Sequence, residues 1–229
     1  MSGRLRRAVV SWSTGKDCAW ALQRAAHNGG IEIRGLLATV NAAFGRVSMH
    51  GVRRELARMQ ASAMGLPLME VELPWPCPNE EYERRMAAAC ARLRAEGIDT
   101  LIFGDIHLAD VRAYRESRLA GTGIEPLFPL WGQDSTHLVR EMLAGGLRAR
   151  IVCLDPAQLD RKLAGAELTL ETVDALPAQV DPCGENGEFH TFTVAGPMFP
   201  RPLEVRTAKV VERDGFIFAD LVPADRGCC

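Results

Sequence analysis

The sequence is short of lysine and of long apolar runs, and each shortage narrows what the chain can be. Lysine occurs only at Lys16, Lys162 and Lys209, within a combined Lys and Arg count of 27. Arginine preference with abundant alanine is the usage of a GC-rich genome, and a bacterial source is the expectation. Lys16 therefore stands out, because a compact ammonium occupies a place where this chain would otherwise use a planar guanidinium. No apolar stretch approaches the ~18 residues of a membrane span. The basic start is followed by an apolar run of about five residues, short of the roughly seven to fifteen of a secretory core. A cytoplasmic location and no membrane partner are expected. The seven cysteines include no C-x-x-C pair, which argues against a zinc site and a disulfide framework. Cys228-Cys229 has no polybasic segment before it and reads as a frayed tail rather than a lipid anchor. The net charge of −2 gives no electrostatic reason to expect a nucleic-acid partner.

What is present suits a globular enzyme. The 229 residues, 47% of them hydrophobic, can build a main domain and a smaller one. Apolar strands at 8–12, 31–40, 68–73 and 100–103 alternate with helical stripes at 17–27, 52–64, 79–96 and 108–120. A short strand or loop at 126–130 follows. Such alternation predicts a parallel sheet with helices on both faces. Ligands then bind beyond the carboxyl ends of the strands, so 13–17, 41–48, 74–78 and 104–110 should share one rim. From about Gly132 the pattern changes to a helix at 134–144, a strand at 147–154 and a hairpin turning on Asp214-Gly215. The reading is residues 1–131 as an α/β domain and 132–229 as a smaller α+β domain.

Ser13-Thr14-Gly15-Lys16-Asp17-Cys18 lies between the first strand and the first helix. Gly15 lets backbone amides approach a ligand, the helix start offers free N–H groups and a positive dipole end, and Lys16 and Ser13 add a charge and a hydroxyl. Together these suit phosphate, while Asp17 either complements the dipole or holds Mg²⁺. A tight turn with an incidental lysine is the bland alternative. The Walker pattern is absent, since Val10 and Asp17 occupy its glycine and Ser/Thr places. Farther on, Asp181–Phe192 reads D-P-C-G-E-N-G-E-F-H-T-F. Asn186-Gly187 favours a turn. In an extended strand after it, Glu188 and His190 share a face, and Glu185 approaches from the turn. Two carboxylates and an imidazole there can bind a cation, position an amine or hold a metal. A polar surface hairpin is the alternative.

The first loop resembles the S-G-G-K-D-S pyrophosphate loop of the N-type ATP pyrophosphatases, departing from it at Thr14 and Cys18. Taken with V-S-M-H-G-V at Val47–Val52, G-D-I-H-L-A-D-V-R-A-Y-R-E at Gly104–Glu116 and the Asp181–Phe192 segment, the chain resembles the diphthine–ammonia ligase family over nearly its whole length. That resemblance implies a HUP-type, Rossmann-like first domain that uses ATP and Mg²⁺. It implies adenylation of a small-molecule or protein-borne carboxylate, then amidation by ammonia with release of AMP and pyrophosphate. In a bacterial chain the acceptor would be a carboxylate other than diphthine, with cobalamin-related metabolism as one context. A homodimer is compatible with this reading.

The implied nucleotide set is Ser11, Ser13, Thr14, Gly15, Lys16, Asp17, Cys18, Thr39, Asn41, His50 and Gly104. Lys16, Asp17, Asp105, Glu185 and Glu188 are the candidate catalytic residues, with Asp17 and Asp105 as Mg²⁺ ligands. Arg112, Tyr114, Glu185, Asn186, Glu188 and His190 are the candidate acceptor-binding set. Arg112 and Arg115 share a helix face as a phosphate clamp, with surface pairing to Asp110 or Glu116 as the alternative. His50 has a packing role as its alternative. His107 is read as solvated, Trp12 and Trp20 as core, and Trp75 as part of a lid. A tRNA-modifying sulfur transferase and a non-enzymatic nucleotide sensor are the competing classes.

Overall fold

The computed structural model describes residues 5–224. Cys228 and Cys229 lie outside the described residues. Strand β1 (Arg6–Ser11) turns Ala8 and Val10 to one layer and Val9 to the other, the period of two that a strand covered on both faces requires. It sits mid-sheet, parallel to β2 (Ile31–Asn41) on one side and β5 (Thr100–Ile102) on the other. Two further parallel strands extend the sheet, β4 (Leu68–Leu73) beside β2 and β6 (Glu125–Leu127) beside β5. The two-residue β3 (Arg46–Val47) pairs antiparallel with the end of β2. Strand order reverses between β1 and β5, and the crevice at such a reversal is where α/β sheets take ligands.

Four helices follow these strands: α1 (Lys16–His27), α2 (Arg54–Met64), α3 (Asn79–Ala95) and α4 (Ala109–Leu119). The expected helix at 52–64 begins two residues late, because Val47 N bonds Val52 O and Arg46 bridges Arg53, which holds that stretch extended. Beyond them come α5 (Ser135–Ala144), whose Asp134 cap accepts from His137 N at 2.8 Å, and the short α6 (Leu170–Asp174). A second, antiparallel sheet has the order β8 (Phe189–Ala195), β7 (Arg148–Leu154), β10 (Phe216–Pro223), β9 (Val205–Arg213). Its β9–β10 hairpin turns on Asp214 and Gly215, at φ 49 and 82, as an Asp-Gly two-residue loop requires.

The two sheets are not separated by a gap. Helix α1 is sandwiched between them, and Ala19, Ala21 and Ala25 are wholly buried on it. Alanine at these positions lets both sheets approach closely. One core cluster therefore contains Ala8, Val10 and Ile102 of the first sheet together with Ile151, Phe189 and Ile217 of the second. Helix α2 contributes Leu56 and Ala57 to a second junction with Val152 and Phe192. The far face of the first sheet is closed by α3 through Ala89, Cys90 and Leu93.

A charged clamp completes the junction. Asp220 on β10, 3% exposed, receives Arg46 Nη2 at 3.0 Å and Arg53 Nε and Nη2 at 2.9 and 2.8 Å. The Arg53 hydrogen bonds outweigh burial and hold the Asp220 carboxyl down at about 2. A carboxyl depressed in the folded state stabilises above its unfolded pKa, and that contribution is lost as pH falls toward 2. Asp220→Asn should lower the unfolding free energy by about 1–3 kcal/mol at neutral pH. Urea titration checks this, and the gap to wild type should close as pH falls toward 2.

Candidate active site

The crevice between the ends of β1 and β5 opens into a cleft of about 380 Å³, within the range of small-molecule sites. Its floor is the start of α1. Gly15 caps that helix without a side-chain hydrogen bond, leaving first-turn amides to find other partners. One of them, Lys16 N, donates to Thr191 Oγ1 on β8 at 3.1 Å. Gly104, at the end of β5, lies so close that a Cβ there would stand 2.8 Å from both Asp17 C and Cys18 N. A Cβ on Gly15 would stand 2.8 Å from His50 Cε1. Both glycines are therefore fixed by close approach.

Lys16 is 2% exposed. Its Nζ donates to both carboxylate oxygens of Asp17, at 2.8 and 2.9 Å, and to the Cys183 carbonyl. It also lies 5.5 Å from the centroid of the Phe189 ring. Burial opposes the charge on Lys16, but Asp17, with Cys183 and Glu185 behind it, keeps the pKa above its ordinary value. Burial also pushes the Asp17 carboxyl up, against the pull of Lys16. Cys18 turns back onto the loop: its Sγ donates to Gly15 O at 3.1 Å, and burial lifts the thiol to about 11.

Thr14 is wholly buried and has φ 77, a left-handed conformation that costs a β-branched residue roughly 1–3 kcal/mol. The surroundings hold it there. Thr14 O receives Thr193 N at 2.9 Å and Gln60 Nε2 at 3.1 Å. Gln60 also donates to Thr193 O at 2.7 Å and accepts from Trp12 Nε1 at 2.8 Å. Fully buried Gln60 thus ties the loop to α2 and β8. Its readable signal was a lone polar residue on the apolar face of α2, between Ala57 and Ala61.

The second motif reaches the cleft through Glu185 and His190. Glu185 Oε1 accepts from Ile106 N at 2.7 Å and His107 N at 3.3 Å, which docks the turn onto the loop after β5. Burial raises its pKa, with Asp17 and Asp105 adding to the effect. His190 stacks on His50, ring centroids 4.5 Å apart. Burial, with Lys16, lowers His190 to about 4; burial, with His190, lowers His50 well below its ordinary value. Both imidazoles are neutral at pH 7.

The cleft lining brings together Ser11, Ser13, Lys16, Asp17, Cys18 and Thr39 with His50, Gly104, Asp105, Glu185 and His190. Thr14 and Gly15 support it from behind. Five further candidates lie outside the lining. Glu188, 2% exposed, accepts from Asp181 N, Asn186 N and Asn186 Nδ2 at 2.9–3.1 Å and locks the turn. Asn186 is its partner there. Asn41 Oδ1 instead caps the turn toward β3, accepting from Ala43 N and Phe44 N. Arg112 bonds Glu116 at 2.7 Å and lies over Phe128 and Trp131, while Tyr114 lines the neighbouring groove between α3 and α4. Arg115 is the arginine in the cleft: its Nε is 2.7 Å from Asp105 Oδ2, and its Nη2 donates to Oδ1 at 3.0 Å.

Asp17 and Asp105 are each already paired with a cation, and no three His, Cys, Asp or Glu groups converge as a metal site among the described residues. This donor set suits Mg²⁺ that arrives with phosphates and keeps its waters. It does not make a protein-only cage.

Two outcomes follow. Gln60→Leu should lower the unfolding free energy by about 1–3 kcal/mol by releasing Thr14 and leaving Trp12 Nε1 unpaired, and adding Thr14→Gly should recover part of it, because glycine needs no clamp at positive φ. Calorimetry on the single and double variants checks this. A histidine depressed to about 4 is protonated sooner in the unfolded chain, so stability falls as pH drops from 6.5 toward 4. His190→Asn should flatten that decline by as much as ~3 kcal/mol, read from urea titrations at neutral pH and near pH 4.

Comparison with known proteins matches residues 6–125 to the family described as diphthamide synthase N-terminal domain and residues 134–219 to diphthamide synthase C-terminal domain. A Danio rerio protein named diphthine–ammonia ligase is 32% identical over 176 residues, covering 69% of this chain and 68% of the relative. The Rattus norvegicus protein of that name is 30% identical over 151 residues, 62% of this chain and 55% of its own length. The Homo sapiens protein is 27% identical over 179 residues, 70% and 66% respectively. The chain thus spans between about half and two thirds of these curated relatives.

Proposed function

The chain belongs to the diphthamide synthase family, and from that premise we propose that it is an ATP-dependent ligase that adenylates a carboxylate and amidates it with ammonia, releasing AMP and pyrophosphate. The observation that carries the reading is the buried Lys16 ammonium beside a helix start whose Gly15 cap makes no side-chain hydrogen bond, in a cleft lined by separately held carboxylates. Lys16 and the α1 amides balance phosphate charge, and Mg²⁺, held through Asp17 and Asp105, would add to that neutralisation at the phosphates.

A carboxylate oxygen attacks the α-phosphorus and the bond to the bridging oxygen breaks, so pyrophosphate leaves with the electron pair. Ammonia then attacks the activated carbonyl, AMP leaves, and the nitrogen gives up a proton. Glu185 supports the second step: Oε1 is fixed by two amides, and burial raises the carboxyl above its ordinary value, which makes it a better acceptor for that proton. No protein nucleophile is needed. The buried thiols agree with this, since Cys18 is lifted to about 11 and Cys183, chiefly by burial, to about 12, which leaves neither as a thiolate for sulfur transfer.

Purified protein with ATP, Mg²⁺, ammonium and a pool of carboxylic acids should form AMP and pyrophosphate in equal amounts. Chromatography that resolves AMP from ADP checks this. ADP as product would sink the ligase reading, and tight ATP binding without turnover across the pool would favour a sensor.

A further inference from the structure

A second concavity, about 390 Å³, runs between α3 and α4. It joins the cleft, because Tyr82, Met86, Phe103 and Arg115 line both. Its floor is apolar, with Cys90, Leu101 and Leu119 buried beneath it. Its outer wall is charged and exposed, and there Arg118 pairs with Glu83 at 2.8 Å.

At the junction stands Arg115. Its guanidinium lies over the Phe103 ring, 4.5 Å from the centroid, which fixes its plane. Asp105 lies along the Nε and Nη2 edge with one hydrogen bond, from Nη2 at 3.0 Å; Nε and Asp105 Oδ2, though 2.7 Å apart, have no hydrogen-bond partner among the described residues. A carboxylate is already seated on this guanidinium in the form of Asp105. A second one can share it through Nη1 or displace Asp105 from it.

We propose that the α3–α4 groove is the acceptor subsite, taking a carboxylate on an apolar stem with Arg115 receiving the carboxylate at the mouth of the nucleotide cleft. The guanidinium fork matches a carboxylate, the apolar floor matches a methylene stem, and the continuity of groove and cleft brings the acceptor oxygen to the phosphates. Whatever bears the stem stays at the charged outer rim. The inference rests on the ligase reading and gives that reaction its second substrate site. It moves the acceptor from the second-sheet turn, where Glu188 and Asn186 are consumed in holding the backbone, to the outer face of the first sheet.

The test uses the full chain with two probes, hexanoate and N-adipoyl-tetraglycine, whose binding is followed by calorimetry and saturation-transfer NMR. ATP affinity is measured separately. Ala87→Trp and Ser117→Trp sit on exposed positions of the two helices and fill the groove from opposite walls. Each should weaken probe binding by about tenfold or more and leave ATP affinity unchanged. Arg115→Lys should weaken the probes to a similar degree, because an ammonium lacks the fork. Tighter binding of the peptide-linked acid assigns the acceptor to a macromolecule, and equal binding assigns it to a free metabolite; both support the groove. Wild-type probe binding in both tryptophan variants, or none to wild type at millimolar concentration, overturns the proposal. ATP binding is read independently, so loss of the ligase reading shows up apart from loss of the groove.

Discussion

Lys16 places a full positive charge, 2% exposed, in the seam between two sheets, and the neighbouring structure is arranged around keeping it there. A buried ammonium without partners would cost several kcal/mol. Asp17 supplies the counter-charge from the adjacent position, and Cys183 O supplies an acceptor from the turn before β8. That second contact requires the Asp181–Phe192 turn to sit against the start of α1. Glu188 shapes the turn internally, and Glu185 docks it on the loop after β5. The two conspicuous segments of the sequence are thus one construction. The loop that opens α1 and the distant turn each complete the hydrogen bonds of the other.

Helix α1 explains why this construction is rigid. Its alanines allow sheets on both sides, so its first turn cannot shift without disturbing a core shared by both. Thr14 is held in a conformation it would not choose, by Gln60 and Thr193. Such local strain is characteristic of sites that must present backbone amides in a fixed direction. The neutral, stacked His50 and His190 close the same corner.

Much of the fold was legible because it rests on periodicity and punctuation. The alternation of apolar strands and helical stripes located β1, β2, β4, β5 and α1 through α4, and Asp214-Gly215 located the last hairpin. The helix-start lysine was legible for the same local reason. What sequence could not show were pairings set by three-dimensional register. Arg112 and Arg115 look alike one turn apart, yet the first lies on Phe128 and Trp131 and the second meets Asp105. Glu188 and Glu185 are three residues apart in one motif, but only Glu185 lines the cleft. Gln60 gave a weak signal as a polar residue inside an apolar stripe, and its partners, Thr14 and Thr193, come from two other parts of the chain.

The central claim is that the Lys16 ammonium is kept for phosphate and is not a structural ion pair. The most direct measurement is ATP affinity and unfolding free energy on the same preparation of Lys16→Met, a substitution that keeps the unbranched stem and removes the charge. The account predicts ATP binding weakened by about a hundredfold or more, with a stability loss of about 1–3 kcal/mol because the Asp17 carboxylate and Cys183 O lose their partner. Unchanged ATP affinity together with a large loss of stability would contradict it and make Lys16 a structural residue.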